Sequence, residues 1–248
     1  MAWRRTILRI EVGQFSDPGR KRPNNEDWLG TFQPEDEGRL ARKGSLFLVA
    51  DGMGGHQSGE MASRGAVDQV IRTYMDDPDG DLASSLRRAI EAANATLYAK
   101  TAGRELRGRW GTTLVAAALR YNQLWIANVG DSRAYLMRGG KLGQLSRDHA
   151  LSASALGIES SEGWIGRHLI TRALGLNSSV EVDVFPPRTL RPGDRVLLCT
   201  DGLTTPLSDE EVRDISLRFP PQEAAGALVR AANERGGPDN VSVIIVDV

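Results

Sequence analysis

Aspartates stand where apolar, strand-like runs of the sequence end or begin. Asp51 follows residues 46–50, Asp131 follows residues 126–130, Asp201 follows residues 196–200, Asp239 precedes residues 241–246, and Glu26-Asp27 opens a segment that contains Trp28 and Leu29. Each Asp–Gly pair taken alone is also a common turn. Several carboxylates that converge at the edge of an apolar core repel each other and pay a desolvation cost. The set therefore indicates a cation site.

The residues available as ligands narrow the metal. The chain has one cysteine, Cys199, and three histidines, His56, His149 and His168. Carboxylates, and carbonyls where glycine lets the backbone approach closely, suit Mg²⁺ or Mn²⁺ rather than Zn²⁺ or copper. Two such ions a few ångströms apart could share one carboxylate and activate a bridging water.

A basic segment lies next to the first acidic pair. Arg20, Lys21 and Arg22 come shortly before Glu26-Asp27. A guanidinium beside metal-binding acids can hold a phosphoryl group with two hydrogen bonds while the water attacks. A solvated basic turn is the alternative, and the residues alone leave both readings open.

The elements that must position these residues can be read from the hydrophobic pattern. Strands are predicted at residues 7–15, 45–50, 112–119, 123–129, 134–137, 180–185, 195–199 and 241–248. Helical spacing marks residues 61–74, 82–97 and 224–232, and Ser208 with Glu211 forms a capping box that opens a further short helix. Short connections such as residues 138–141 favour antiparallel hairpins, so we expect an α+β fold with helices covering sheet faces.

Composition excludes several classes of protein. The 248 residues include 31 basic and 32 acidic side chains, a balance that does not favour a general nucleic-acid binder. A single cysteine excludes an internal disulfide framework and fits a reducing compartment. No apolar run approaches the ~18–20 residues of a membrane span. Residues 1–12 begin like a signal peptide, but Arg9 and Glu11 interrupt them, so we expect a cytoplasmic protein without a membrane partner.

Eight sequence blocks, in order along most of the chain, resemble the metal-dependent protein phosphatases of type 2C, also called PPM. They are Arg22-Pro-Asn-Asn-Glu-Asp27, Val49-Ala-Asp-Gly-Met-Gly-Gly-His56 with Gly59-Glu60, Gly111-Thr-Thr113, Asn128-Val-Gly-Asp-Ser-Arg133, Asp148-His149, Thr171-Arg-Ala-Leu-Gly175, Leu198-Cys-Thr-Asp-Gly202 and Asp239-Asn-Val241. One Asp–Gly pair is weak support, whereas eight ordered blocks are highly specific. The chain is identified on these blocks as similar to bacterial members of that family.

The resemblance implies a central antiparallel β-sandwich flanked by helices on both faces, in four layers, as one domain over residues 1–248. It implies two Mn²⁺ or Mg²⁺ ions and a weaker third ion. The implied roles of the site residues are these: Asp51 bridges two metals, the Gly52 carbonyl binds the second, Asp201 and Asp239 complete the first, Asp27 lies near the second through water, Asp131 holds the third with Asp201, Arg22 binds the phosphate, and His56 is the general acid.

The resemblance also has a departure and several residues with plainer interpretations. The flap around residues 150–170 is several residues shorter than is typical of bacterial members, which puts substrate preference and third-metal affinity in doubt. Asn240 is either part of the site or a turn cap. His149 and His168 are interpreted as structural. Thr112 and Thr113 are interpreted as strand residues that support the site.

The implied activity is hydrolysis of phosphoserine and phosphothreonine on proteins, opposing a serine/threonine kinase, by a monomer. A pseudophosphatase that only binds phosphoproteins is disfavoured because Asp51, Asp201 and Asp239 all stand. A serine hydrolase with Ser132 as nucleophile is disfavoured because Ala134 replaces the last glycine of the required turn. A nucleotide-binding loop at residues 52–59 lacks the lysine that should follow its last glycine.

Overall fold

The computed structural model describes residues 8–54, 57–102, 110–152 and 168–248. The strands within these ranges are β1 (Glu11–Asp17), β2 (Asp27–Phe32), β3 (Ser45–Met53), β4 (Gly111–Thr112), β5 (Leu114–Arg120), β6 (Gln123–Val129), β7 (Arg133–Arg138), β8 (Lys141–Gln144), β9 (Ala150–Ser152), β10 (His168–Ile170), β11 (Asp183–Val184), β12 (Arg188–Thr189), β13 (Arg195–Cys199) and β14 (Val241–Asp247). The helices there are α1 (Glu37–Lys43), α2 (Gln57–Asp76), α3 (Leu82–Thr101), α4 (Asp201–Thr204), α5 (Asp209–Arg218) and α6 (Pro221–Glu234).

Two sheets hold most of these strands. The first sheet has the order β1-β14-β13-β7-β8, and the second has the order β11-β6-β5-β3-β2 with β12 on β6 and β4 on β3. Strands β9 and β10 form a separate hairpin. Every strand pairing in the described part of the chain is antiparallel, as the short connections predict. Residues 138 and 141 pair directly in the β7–β8 hairpin.

Alternation along the strands produces three apolar cores. Phe47 and Val49 of β3 face the core between the two sheets, where they meet Val196 and Ile244 of the first sheet. The intervening residues of β3, such as Leu48, face α2 and α3. Residues of alternate parity on β13 and β14 face α5 and α6 in the same way. Three cores separate four layers, so the α+β sandwich with helices on both faces is confirmed.

Local signals fix several helix ends. The capping box at α5 is present, with Ser208 and Glu211 bonding each other's backbone. Asp36 and Asp81 cap α1 and α3 by accepting backbone N–H bonds. None of the helices in the described ranges is long and apolar enough to cross a membrane.

Some predicted elements differ from the structure. The strand predicted at residues 7–15 lies instead at Glu11–Asp17, because β1 follows its pairing with β14. Only Asp183–Val184 of the run 180–185 is a strand. Asp201 opens the short helix α4 rather than a hairpin turn. Helix α1 and strand β2 were not predicted as elements.

Candidate metal centre

The strand-end aspartates lie at one edge of the sandwich. Asp27 is the first residue of β2 and stands directly opposite Asp51 of β3 in the ladder. In the first sheet, Thr200 separates Asp201 from the end of β13, and Asp239 lies just before the neighbouring strand β14. A cleft of about 400 Å³ lies between the sheet edges, and its lining includes Arg22, Glu26, Asp51, Gly52, Asp201 and Asp239. The structure thus brings these sequence-predicted residues together.

The hydroxyl of Thr200 joins the two sheets at this edge. Thr200 Oγ1 donates to Oδ2 of Asp27 at 2.9 Å and accepts the backbone N–H of Ser242 at 3.0 Å. Asp27 is only 3% exposed. Burial raises the pKa of Asp27 to about 7, repulsion from Asp201 and Asp239 adds to this, and the hydrogen bonds from Thr200 and Ser242 oppose it.

Asp51 is held through its backbone. Its N–H donates to Thr113 Oγ1 at 3.0 Å, and its carbonyl accepts from Thr112 Oγ1 at 2.8 Å and from the Thr113 N–H at 2.9 Å. The two threonines therefore support the site in the structure as the sequence predicts. Burial raises the pKa of the Asp51 carboxyl well above its ordinary value, and negative charge on Asp27 and Asp201 raises it further.

Gly52 occupies a position with no room for a side chain. A Cβ placed there would lie 2.2 Å from the carbonyl oxygen of Gly59 and 2.5 Å from that of Glu26. The Gly52 N–H donates to the same Glu26 carbonyl at 3.1 Å. Ser63 Oγ also donates to that carbonyl, at 2.6 Å. The residue after Asp51 must therefore be glycine, which brings its backbone to the cleft wall.

Asp131 is the most isolated of the buried acids. It is 4% exposed, and neither of its carboxylate oxygens accepts a hydrogen bond from another described residue. Burial raises its pKa to about 6, and repulsion from Asp148 acts in the same direction. A buried carboxylate without partners is expensive, and a bound cation is the usual compensation.

Arg22 contacts the cluster directly. Its Nη2 donates to Oδ2 of Asp239 at 2.7 Å, while more than half of its side chain stays exposed. The hydrogen bond to Asp239 raises the pKa of Arg22, and the charge on Asp51 raises it as well. A guanidinium has five N–H donors, so the contact with Asp239 leaves donors with which Arg22 can bind an anion in the cleft.

Asn240 organises the loop that carries Arg22. Its Oδ1 accepts the Glu26 N–H at 2.8 Å, and its Nδ2 donates to the carbonyls of Pro18 and Asn24 at 2.9 and 2.8 Å. Of the two interpretations of Asn240, the structure favours the one in which it fixes backbone. Asp239 is therefore a candidate metal ligand, and the adjacent Asn240 holds the loop on the other side of the cleft.

The three histidines have different outcomes. His56 lies outside the described residues, and so does the side chain of His168. His149 is 6% exposed, and its Nδ1 accepts the backbone N–H of Gly130 at 3.1 Å. This buried, hydrogen-bonded setting supports the structural interpretation of His149.

Ser132 does not have the surroundings of a hydrolase nucleophile. Its side chain is fully buried, and its Oγ contacts Thr113 Oγ1 at 2.7 Å. Strand β7 begins at the next residue, Arg133, where a nucleophile elbow requires a helix. The serine-hydrolase alternative therefore fails on both geometry and access.

The residues present fit divalent metal ions. Oδ1 of Asp27 and both carboxylate oxygens of Asp131 are buried without hydrogen-bond partners among the described residues. No group of three or more His, Cys, Asp or Glu side chains in those ranges is already gathered at metal-ligand spacing. Repulsion between the carboxylates opposes a tight cluster, and a cation would relieve that repulsion. The donor set of carboxylate and carbonyl oxygens suits Mg²⁺ or Mn²⁺.

Comparisons with known proteins identify the family that the chain resembles. Residues 16–176 match the family model of Protein phosphatase 2C. The serine/threonine protein phosphatase PstP of Mycobacterium tuberculosis is 36% identical over 251 aligned positions, which cover 98% of this chain. The chain spans 46% of the length of that relative. The serine/threonine phosphatase stp of Listeria welshimeri is 37% identical, with 94% of this chain and 93% of the relative covered.

A solved structure of a similar phosphatase has the same fold as this chain. The catalytic domain of PstP in complex with two manganese ions superposes with a TM-score of 0.76 at 34% identity. The superposition covers 96% of this chain and 97% of that one. The chain therefore shares its fold with a phosphatase domain whose structure contains two manganese ions.

Proposed function

The chain belongs to the protein phosphatase 2C family of serine/threonine protein phosphatases, and from that premise we propose that it hydrolyses phosphoserine and phosphothreonine in proteins at a centre of two divalent metal ions. The observation that carries the proposal is the cross-strand pair of Asp27, which is buried, and Asp51, which lines the cleft. Both carboxyls have raised pKa values in the absence of a cation. Such a pair is stabilised as carboxylates when positive charge is supplied.

The residues that would hold the ions are assigned from the resemblance to the family, and four of them, Asp51, Gly52, Asp201 and Asp239, line the cleft. In this proposal Asp51 would bind both ions, the Gly52 carbonyl the second ion, Asp201 and Asp239 the first ion, and Asp27 the second ion through water. When bound, the ions supply Lewis acidity, which lowers the pKa of a water nucleophile and offsets phosphoryl charge. Asp131, whose pKa is raised in part by the charge of Asp239, is assigned together with Asp201 to a weaker third ion.

Arg22 is assigned to the phosphoryl group. It projects into the cleft from the loop held by Asn240, with one nitrogen on Asp239. A phosphate dianion offers oxygens that pair with the remaining donors of the guanidinium. Arg22 would thereby place phosphorus beside the carboxylate cluster while Asp239 fixes the orientation of the guanidinium.

His56 is assigned the proton transfer to the leaving group. Hydrolysis breaks the bond between phosphorus and the seryl or threonyl oxygen, and that alkoxide needs a proton to leave as the alcohol. His56 follows Asp51 by five positions in the sequence. An imidazolium near the cleft would donate the proton and later recover it from water.

Substrates, partners and assembly complete the proposal. We infer that the substrates are proteins phosphorylated by a serine/threonine kinase, so the chain would oppose such a kinase in signalling. A monomer in the cytoplasm, organised as one domain over residues 1–248, stays a prediction. A pseudophosphatase that binds phosphoproteins without turnover is the competing function, and turnover itself separates the two.

The central test is hydrolysis of a phosphothreonine peptide with added Mn²⁺, with and without a chelator, by wild type, Asp201→Asn and Asp214→Asn. Asp214 is an exposed aspartate of α5 paired with Arg213, so it is a matched control for the loss of one carboxylate. We expect Mn²⁺-dependent release of phosphate by wild type and by Asp214→Asn, and none by Asp201→Asn. Full activity after exhaustive chelation would refute the metal mechanism.

The role of His56 has its own test. His56→Ala should slow the phosphothreonine peptide by about 10²-fold or more, the usual scale of general acid catalysis. It should slow p-nitrophenyl phosphate far less, because nitrophenolate leaves without a proton. Steady-state kinetics on the two substrates decide the question. Equal fractional losses would remove His56 from the reaction.

A further inference from the structure

A buried contact ties His149 to the turn that carries Asp131. His149 Nδ1 accepts the Gly130 N–H at 3.1 Å, and the His149 N–H donates back to the Gly130 carbonyl at 2.9 Å. Gly130 has φ of +107°, and a Cβ there would lie 2.6 Å from the side chain of Thr113. The turn is therefore enclosed between Thr113 on one side and His149 on the other.

The same imidazole reaches a carboxylate on β11. Because Nδ1 accepts a hydrogen bond, the ring proton of neutral His149 sits on Nε2, which donates to Asp183 Oδ2 at 3.1 Å. Arg172 Nη1 donates to the other oxygen, Oδ1, at 2.9 Å. The Thr171 N–H donates to the His149 carbonyl at 2.8 Å. Asp183 thus binds the residues that flank segment 150–170 on both sides.

Asp183 is itself fixed in the second sheet. It pairs with Asn128 of β6 in the antiparallel ladder. The side chain of Asn128 donates to the carbonyls of Gly130 and Arg147, at 3.2 and 2.7 Å. The carboxylate of Asp183 is therefore an anchor on the edge strand β11, and the Gly130 turn is held from both β6 and β11.

The anchored turn continues into the candidate metal centre. Ser132 Oγ contacts Thr113 Oγ1, which accepts the Asp51 N–H. Asp131, between Gly130 and Ser132, thus has both neighbours held, while its own buried carboxylate accepts no hydrogen bond from another of the described residues. A carboxylate in that state keeps its place only where the surrounding backbone fixes it.

We propose that Asp183 is a positioning residue that, through His149, fixes the Gly130–Ser132 turn and both ends of segment 150–170 in one arrangement. Loss of its charge would free the turn and the two ends together. The assignment of a metal to Asp131 belongs to the proposed function, and only the metal-binding part of the test depends on it. The positioning itself is measurable without metal and without turnover.

Two variants and a control define the test. In Asp183→Asn, an amide that keeps its oxygen on Arg172 presents NH₂ to the Nε2–H of His149, so donor meets donor. In His149→Asn, the amide oxygen can still accept the Gly130 N–H, but the shorter side chain cannot reach Asp183. Asp194→Asn is the control, because Asp194, like Asp183, pairs with an arginine, Arg138, and lies outside this cluster.

Amide hydrogen exchange of the metal-free chains is the first readout. In Asp183→Asn and His149→Asn we expect exchange at Gly130, His149 and Thr171 to accelerate about tenfold, the scale of one lost hydrogen bond to a charged group. Leu174 should be unchanged, since its N–H donates to the Thr112 carbonyl independently of Asp183. Asp194→Asn should leave all four amides as in wild type.

Mn²⁺ binding followed by electron paramagnetic resonance is the second readout. Loss of a supporting partner typically costs 10–100-fold in metal affinity, so the weakest Mn²⁺ site should weaken about tenfold in both variants. The tighter ions should bind as in wild type, because Asp51 and Asp239 keep their supports.

The outcomes separate the two proposals. Unchanged exchange at Gly130 and Thr171 in Asp183→Asn would overturn the positioning role, whatever the enzyme does. Wild-type exchange in His149→Asn alone would also overturn it, because the Gly130 bond would then suffice without Asp183. Faster exchange at these amides in a chain whose wild type hydrolyses no phosphopeptide would support the positioning role and refute the proposed function.

Discussion

Strands β13 and β14 carry carboxylates at both ends. The carboxylates at one end pair with arginines, whereas those at the other end face further carboxylates. At the end away from the cleft, Asp194 accepts two hydrogen bonds from Arg138 and one from the Arg191 N–H, and Asp247 pairs with Arg195 through both oxygens. At the cleft end, Asp201 and Asp239 face Asp27 and Asp51 of the other sheet, with Arg22 as the cation in contact with Asp239.

The pKa values record this difference. Burial alone would raise the pKa of Asp194, but its bonds to Arg138 and to the Arg191 N–H bring it below the ordinary value. Burial raises the pKa of Asp27 to about 7 and that of Asp131 to about 6. An aspartate at a strand end therefore stabilises the fold where an arginine pairs with it. Where aspartates face one another instead, their repulsion destabilises the metal-free fold and favours binding of a cation.

Neutralising one aspartate at each end of these strands should give the largest expected difference in activity. Asp239→Asn should lower kcat for a phosphothreonine peptide by about 10³-fold, because several kcal/mol of transition-state stabilisation depend on the ions. Asp194→Asn should change kcat less than about twofold and instead lower the free energy of unfolding by about 1–2 kcal/mol. Steady-state kinetics and urea unfolding of both variants test the contrast. It fails if both variants lose activity to the same extent.

The pH dependence of stability should also distinguish the two ends. Asp27 has a folded pKa above its unfolded value, so the folded chain binds more protons between about pH 4 and pH 7, and its stability falls as pH rises across that window. For the metal-free chain we expect a loss of about 2 kcal/mol from pH 5 to pH 7. Asp194 has a lowered pKa, so its contribution is present above the ordinary aspartate pKa and disappears only at lower pH.

Urea unfolding of the metal-free chain at several pH values measures this slope. Asp27→Asn should reduce the slope and leave the part that comes from Asp51 and Asp131, Asp194→Asn should retain it, and saturating Mn²⁺ should remove it by keeping the carboxylates ionised. A metal-free wild type that is more stable at pH 7 than at pH 5 would contradict the assignment of repulsion to the cleft end.

The smallest effect concerns the cation at the cleft end. Arg22→Ala should raise KM for the phosphothreonine peptide about tenfold, the scale of one charged hydrogen bond, with a smaller fall in kcat. Arg22→Lys should recover part of the loss, because an ammonium keeps the charge without the paired donors. A large fall in kcat at normal KM would mean that Arg22 acts mainly in the transition state.

The meeting of carboxylates at one edge of the sandwich was more predictable from sequence than the bounds of the elements around it. Strands Gln123–Val129 and Arg195–Cys199 match their predicted bounds because their apolar runs end at turn residues. The carboxylates were found because each stands at such an end. Helix α1 is not predicted by the hydrophobic pattern. Its Lys43 is fully buried, and Nζ donates to the Asp79 carbonyl and to Ser85 Oγ, contacts that the local sequence does not indicate.

The anchor at Asp183 was missed for a related reason. Its partners His149 and Arg172 belong to sequence blocks that were noted, but nothing in their spacing indicates that a third residue joins them. The contact arises from the pairing of β11 with β6, which is a property of the tertiary structure. His149 was interpreted correctly as structural, while the residue that orients it was named in no prediction.

The opposition of Asp27 and Asp51 ties metal binding to the alignment of two strands. Side chains alternate between faces along β2, so a slip of one residue against β3 would turn Asp27 away from the cleft and put Trp28 in its place. Such a misaligned chain would keep many backbone bonds but lose a carboxylate of the centre. Divalent cations should therefore select the correct strand register during folding. Because they bind only the correctly aligned molecule, refolding in their presence would increase its share.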